Sequence, residues 1–242
     1  MWFLWGNGAM QQWVSGGDAR VVHVWDAPTR LFHWLLVLLI VISWRTGEAG
    51  GEWLRYHFWS GYAILTLVLF RIVWGVVGGT HARFVNFVRG VPAALQHVRE
   101  LMRPGPTSDV GHSAIGGWMI VILLAVLLLQ TATGLFADDD IVTVGPLGAL
   151  VSGATRARLT TIHKYNFEVI EVLVGVHILA VLSYLAIKRQ NLIGAMITGR
   201  RRVLAPTAID GARAHPALAA AVLAGAAAVV AGIVLGVPYL AR

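Results

Sequence analysis

Nine histidines occur in the 242 residues, and four of them, His33, His57, His163 and His177, lie in or at the ends of long apolar stretches. An imidazole at membrane depth costs free energy, so it marks a functional position by default. The plain alternative for any one of them is a hydrogen bond to a neighbouring helix. Spacing argues against it. His163 and His177 are 14 residues apart. On a helix they point within about 40° of each other and stand about 21 Å apart along the axis. One helix then offers an imidazole near one membrane surface and another well inside. That suits two stacked metal-bearing macrocycles, two haems, each needing a second axial ligand from a different helix. His57 lies at the level of His163, and His33 at the level toward which His177 points. Bis-imidazole ligation fills both axial positions and favours electron transfer over oxygen binding.

Cysteine is absent, which removes disulfides, iron–sulfur clusters, a thiolate ligand and covalent thioether attachment. Only His, Met or carboxylate remain to hold a metal, so the cofactor expected is non-covalent haem b.

The elements that must position these residues are membrane helices. The chain is 57% hydrophobic and 13% charged, about half the charged fraction of a soluble domain. Five apolar runs of spanning length are read at about 28–44, 57–77, 113–136, 162–187 and 216–240. The net charge of +7 would suit nucleic acid in a soluble protein. Here it sits between the apolar runs, so no nucleic-acid partner is expected; the surroundings are membrane lipid. Arg83, Arg89, Arg99 and Arg103 follow the second run, and Lys188, Arg189, Arg200, Arg201, Arg202 and Arg213 follow the fourth. Basic loops stay in the cytoplasm, which puts the N-terminus there too. Residues 1–20 are Trp-rich and do not resemble a cleavable signal peptide. The fifth run is mostly Ala, Val, Gly and Leu. Such a face suits close packing on the bundle, on a partner or on a second copy in a homodimer.

Other polar residues bear on the site. Arg71 lies inside the second run, where it either snorkels to the interface or balances a haem propionate, a carboxylate that needs a cation in low dielectric; Arg30 is a second candidate. Glu168 and Glu171 sit between the two histidines of the fourth run, read as interfacial, with proton relay to a quinone as the sharper reading. Gly61, Gly175, Gly116 and Gly117 would let a flat ring approach, or serve helix packing. His112 is the substitute ligand, and His23, His81, His97 and His215 are expected to be solvated.

These residues carry a resemblance. Trp25-Asp26 with Thr29-Arg30-Leu31-Phe32-His33-Trp34, Tyr56-His57 with Gly61-Tyr62, Phe70-Arg71 and Trp74-Gly75, and the His163/His177 pair resemble prokaryotic cytochrome b561-type proteins, relatives of the b-type cytochrome subunits of nickel–iron hydrogenases. The resemblance implies an all-α integral membrane protein, a four-helix bundle with two haems b over 21–203. Residues 1–20 form a lead-in, and 204–242 a fifth, C-terminal transmembrane helix.

The function expected is electron transfer across the membrane, between the quinone pool and a redox partner, a cytochrome c or a dehydrogenase or hydrogenase. Two alternatives stand beside it. One is superoxide oxidation coupled to quinone, which needs a basic outer funnel built from Arg45, Arg55, Arg156, Arg158 and Lys164. The other is a transporter or passive anchor, whose inverted repeats and broken helices are not evident.

Overall fold

The computed structural model describes residues 20–90, 92–94, 96, 113–139, 143–203, 212 and 214–240. His97 and His112, Arg99 and Arg103 lie outside these. Five helices are long and apolar enough to cross a membrane: α1 (Ala27–Ala49), α2 (Leu54–Val77), α3 (Ala114–Gly134), α4 (Gly153–Ala186) and α5 (Pro216–Ala231). A π-turn at Gly232–Gly236 and a last turn at Val237–Leu240 continue α5. The chain is an all-α integral membrane protein.

Local chemistry starts the helices. Asp26 Oδ1 accepts from the Thr29 amide at 2.9 Å. Ser113 Oγ accepts from Gly116 at 3.2 Å and Ser152 Oγ from Thr155 at 3.2 Å. His215 caps α5 through Ala217 at 3.2 Å. Each satisfies an amide that the first helical turn leaves unpaired. α2 instead grows out of a 3₁₀ turn, Gly51–Trp53. Gly50 (φ 63°) and Gly51 (φ 52°) reverse the chain in the left-handed region, where a Cβ is disfavoured. So tight a link makes α1 and α2 antiparallel neighbours. Ser43 and His57, each seven residues from Gly50, therefore come to the same level.

α1 packs on α2, α2 on α3 and α5, and α3 on α4. Among the described residues α4 packs most closely on α3, and it meets α1 and α2 across a looser slot bridged by side chains such as Trp44 and Phe167, 6.4 Å apart. The core runs through Phe32, Leu36, Ile64, Val68, Phe70, Trp74, Leu124 and Leu127, with Ile170 from α4 and Ala226 from α5. Lipid is as apolar as these side chains, so close fit rather than escape from water holds the helices together. The outer faces of α1 and α4 are correspondingly apolar and exposed, as at Leu38, Val41, Val172 and Leu179.

Three boundaries differ from the sequence reading. α1 runs on to Ala49, α2 begins at Leu54, and α4 begins at Gly153 rather than near 162. With 34 residues, α4 is about 51 Å long, well beyond a hydrocarbon layer of about 30 Å. Its first turns, with Arg156 and Arg158, stand outside that layer. A short antiparallel ribbon joins Arg20–His23 to Arg200–Val203. It ties the start of α1 to the chain just after the helix Leu192–Thr198, at the end of the bundle that bears the basic loops.

Candidate haem-ligand site

Both histidine pairs cross the slot. The His57 and His163 rings are 6.1 Å apart, centroid to centroid, and the His33 and His177 rings 6.4 Å. An imidazole nitrogen binds a first-row metal at about 2 Å and lies about 1 Å from its ring centre, so two ligands on one metal need about 6 Å. Both separations meet that requirement. The structure thus brings together the same pairs that helix depth suggested. His57 and His163 stand at the far end of the bundle, and His33 and His177 toward the basic end.

The far-end rings are oriented. His57 Nδ1 lies 2.8 Å from the Ser43 carbonyl and 3.2 Å from Ser43 Oγ. His163 Nδ1 lies 2.9 Å from the Gln130 carbonyl. A carbonyl only accepts, so each Nδ1 must carry the hydrogen and each Nε2 carries the lone pair; that of His163 accepts from Gln130 Nε2 at 3.2 Å, a contact that has to open before the nitrogen can bind a metal. Asn166 Nδ2 donates to Gln130 Oε1 at 2.7 Å and to the Val126 carbonyl at 3.0 Å, fixing that edge of α3 against α4. At the basic end, His33 Nδ1 and Thr29 Oγ1, one turn away, are buried without a hydrogen-bond partner.

The glycines sort by what lies beside them. Gly61 and Gly175 border open space, whereas a Cβ on Gly117 would lie 2.7 Å from the Phe87 carbonyl. Gly117 therefore serves the packing of α3 under a short turn, Phe84–Phe87. The glycines that touch a candidate ligand are Gly47 and Gly134. The sequence carries a faint signal for them. Each follows its carbonyl partner, Ser43 or Gln130, by four residues.

Arg71 does not snorkel. It is 2% exposed, donates to the Ala82 carbonyl at 3.1 Å, and lies 5.0 and 6.0 Å from the Phe84 and Phe87 ring centres. Trp74, fully buried, donates to Asp26 Oδ2 at 3.2 Å, and that carboxylate is the charge acting on Arg71. Arg71 follows His57 by 14 residues, the same step that separates His177 from His163. Since α2 and α4 run in the same direction, Arg71 stands near the level of the basic-end pair. Arg30 donates through Nη1 to the Ile197 carbonyl, and its Nε is buried without a hydrogen-bond partner.

At the far end, Arg156 forms an ion pair with Asp138, and Arg45 one with Glu48 at 3.1 Å. The Arg55 guanidinium lies over Tyr56, 4.6 Å from its centre. Exposed Arg158 and Lys164 are left as the open cations of the expected funnel, and Glu168 and Glu171 are exposed on α4. His215 is exposed, as expected, and caps α5.

Facing imidazoles with metal-ligand separation, inside a membrane bundle, are the arrangement of a membrane-bound b-type cytochrome. The chain belongs to the prokaryotic cytochrome b561 family, whose model matches residues 24–199, a stretch that contains all four histidines. It is 26% identical over 221 residues to the probable Ni/Fe-hydrogenase B-type cytochrome subunit of Cupriavidus necator, covering 78% of this chain and 90% of that protein. The subunit of the same description from Rhizobium leguminosarum is 27% identical over 216 residues, 76% of this chain and 90% of the relative. The probable Ni/Fe-hydrogenase 1 B-type cytochrome subunit of Escherichia coli K12 is 24% identical over 212 residues, 74% and 90% respectively. No solved structure matches the chain. The protein is thus a multi-pass membrane cytochrome of electron transport, and its family implies haem b.

Proposed function

We propose that this cytochrome holds two haems b, ligated by His57 with His163 and by His33 with His177, and carries electrons across a bacterial inner membrane between a redox partner and the quinone pool. The observation that carries the reading is the pair of ring separations, 6.1 and 6.4 Å, at two levels of one slot. Haem supplies one-electron chemistry when bound. The chain's own work is to fix the ligands, exclude water and set the potentials through hydrogen bonds and charge. Arg71 is the cation for a propionate of the basic-end haem, with Arg30 as the second candidate.

The basic end faces the cytoplasm in this reading, because loops rich in Arg and Lys are retained there. The far end, with the long extension of α4, then faces the periplasm. The hydrogenase named in the descriptions of the relatives makes a hydrogenase the redox partner of choice. Residues 21–203 act as the haem bundle, and the segment 204–242 adds a helix that covers α2. Superoxide oxidation would draw on Arg55, Arg158 and Lys164, since Arg156 and Arg45 are held in ion pairs.

A pyridine haemochrome assay against protein concentration tests the reading. Two haems b per chain are expected, and none or one would overturn it.

A further inference from the structure

The two histidine pairs differ in what stands behind them. In an α-helix the carbonyl of residue i accepts from the amide of i+4, and the side chain at i+4 leans back toward it. A ring as wide as imidazole reaches that carbonyl more easily where the residue at i+4 has no side chain; the Ser43 and Gln130 carbonyls also accept from the Thr46 and Thr133 hydroxyls, at 3.2 and 3.0 Å. Gly47 stands at i+4 from Ser43, and Gly134 at i+4 from Gln130. A Cβ on Gly47 would lie 2.8 Å from His57 Nδ1 and 3.0 Å from Cε1; one on Gly134 would lie 2.9 Å from His163 Cε1 and 3.2 Å from Nδ1. The imidazole of the next helix fills each gap and donates to the exposed carbonyl, at 2.8 and 2.9 Å. α1 holds the histidine of α2, and α3 that of α4, by one device used twice. At the basic end, among the described residues, no carbonyl accepts from His33 or His177.

We infer that these two carbonyl–glycine windows hold the His57/His163 haem at a lower potential than the His33/His177 haem; the inference rests on the two-haem reading above. A carbonyl accepting from Nδ1–H draws the imidazole toward imidazolate and makes Nε2 a stronger donor. A stronger axial donor favours ferric over ferrous iron, which lowers the potential. The buried Arg71 cation near the level of the other pair acts in the opposite sense on that haem. Both terms point the same way. With haem bound, His57 and His163 would hold the group that takes an electron from a reduced protein partner at the far end, and His33 and His177 the one that would pass it on to the quinone of the proposed function. Gly47 and Gly134 are positioning residues in this scheme.

Spectroelectrochemical titration of the purified full chain tests it, with Gly47→Ala and Gly134→Ala made separately and Gly225→Ala, on α5 with open space around it, as control. Each window variant is expected to raise the lower-potential component, by about 59 mV for a tenfold change in the ferric/ferrous balance, and to leave the upper one in place. The control moves neither. Should a window variant lose a haem, the component that survives is the upper one. The inference is overturned if both components stay where they were, if the two variants move different components, or if the survivor is the lower one. A wild-type protein with fewer than two haems would instead remove the reading on which the inference rests.

Discussion

Replacing His163 by alanine is expected to remove one haem and spare the other, so that the haem-to-protein ratio falls from two to one. His57→Ala should remove that same component, because the two rings face each other at 6.1 Å across the slot. Losing a partner of a ligand commonly costs 10- to 100-fold in affinity, and losing the ligand itself costs more. The damage at His163 is also local to its surroundings. The Gln130 carbonyl and side chain would each lose a contact to the imidazole. His33→Ala and His177→Ala should remove the other component, their rings being 6.4 Å apart. Difference spectra of the four variants separate the cases. If His57→Ala and His177→Ala abolished the same component, the assignment by facing rings would fall. If His112→Ala removed a haem while His33→Ala did not, α1 would lose its role as a ligand helix.

The second large effect is expected at Arg71, where glutamine should lower the potential of the His33/His177 haem and weaken the basic end of the bundle. The guanidinium is closed off from solvent by Ala82, Phe84 and Phe87, so its charge is poorly screened. A unit charge at about 10 Å in an effective dielectric of about 20 is worth about 1.7 kcal/mol. Asp26 offsets part of that field, which leaves an expected drop of roughly 30–70 mV for a one-electron couple. A propionate left without its cation takes up a proton more readily, so the potential should also become more pH-dependent. The variant also loses the bond to the Ala82 carbonyl and the packing on the Phe84 and Phe87 rings, and thermal stability followed by haem release should fall. Titration of wild type and Arg71→Gln at two pH values reads the first effect. An unchanged potential with both haems retained would show that Arg71 serves the packing of the 80–87 turn alone.

The glycines and Arg71 show where a linear reading stops. Gly61 and Gly175 stand near candidate ligands in the chain and border open space; Gly47 and Gly134 touch ligands carried by the next helix. Nearness along a helix says little about what the next helix presents. Arg71 read from the sequence sits two turns from the interface, where snorkelling is open to it. The turn Phe84–Phe87 folding over its head closes that route, and this turn has no apolar period of its own to announce it. The start of α4 was hidden for a different reason. Hydropathy registers the lipid-facing stretch and is blind to helix that continues into water, where the turns carry charged residues such as Arg156 and Arg158.

By itself the sequence determined the membrane class, the five spans and the two levels of histidine. Span length is a property of the chain alone, set against a fixed hydrocarbon thickness. Depth follows from it, because helices that alternate in direction put each residue at a level that can be counted from the nearest turn. Rotation about each helix axis is not countable in this way. It is set by how side chains of two helices interlock and by the links between them. Tertiary structure therefore decided that α4 packs most closely on α3 and leaves a slot, that α5 covers α2, and that carbonyls of α1 and α3 reach the imidazoles of α2 and α4 beside Gly47 and Gly134. Each of these depends on two surfaces meeting at one rotation, and a single helix carries only one of them.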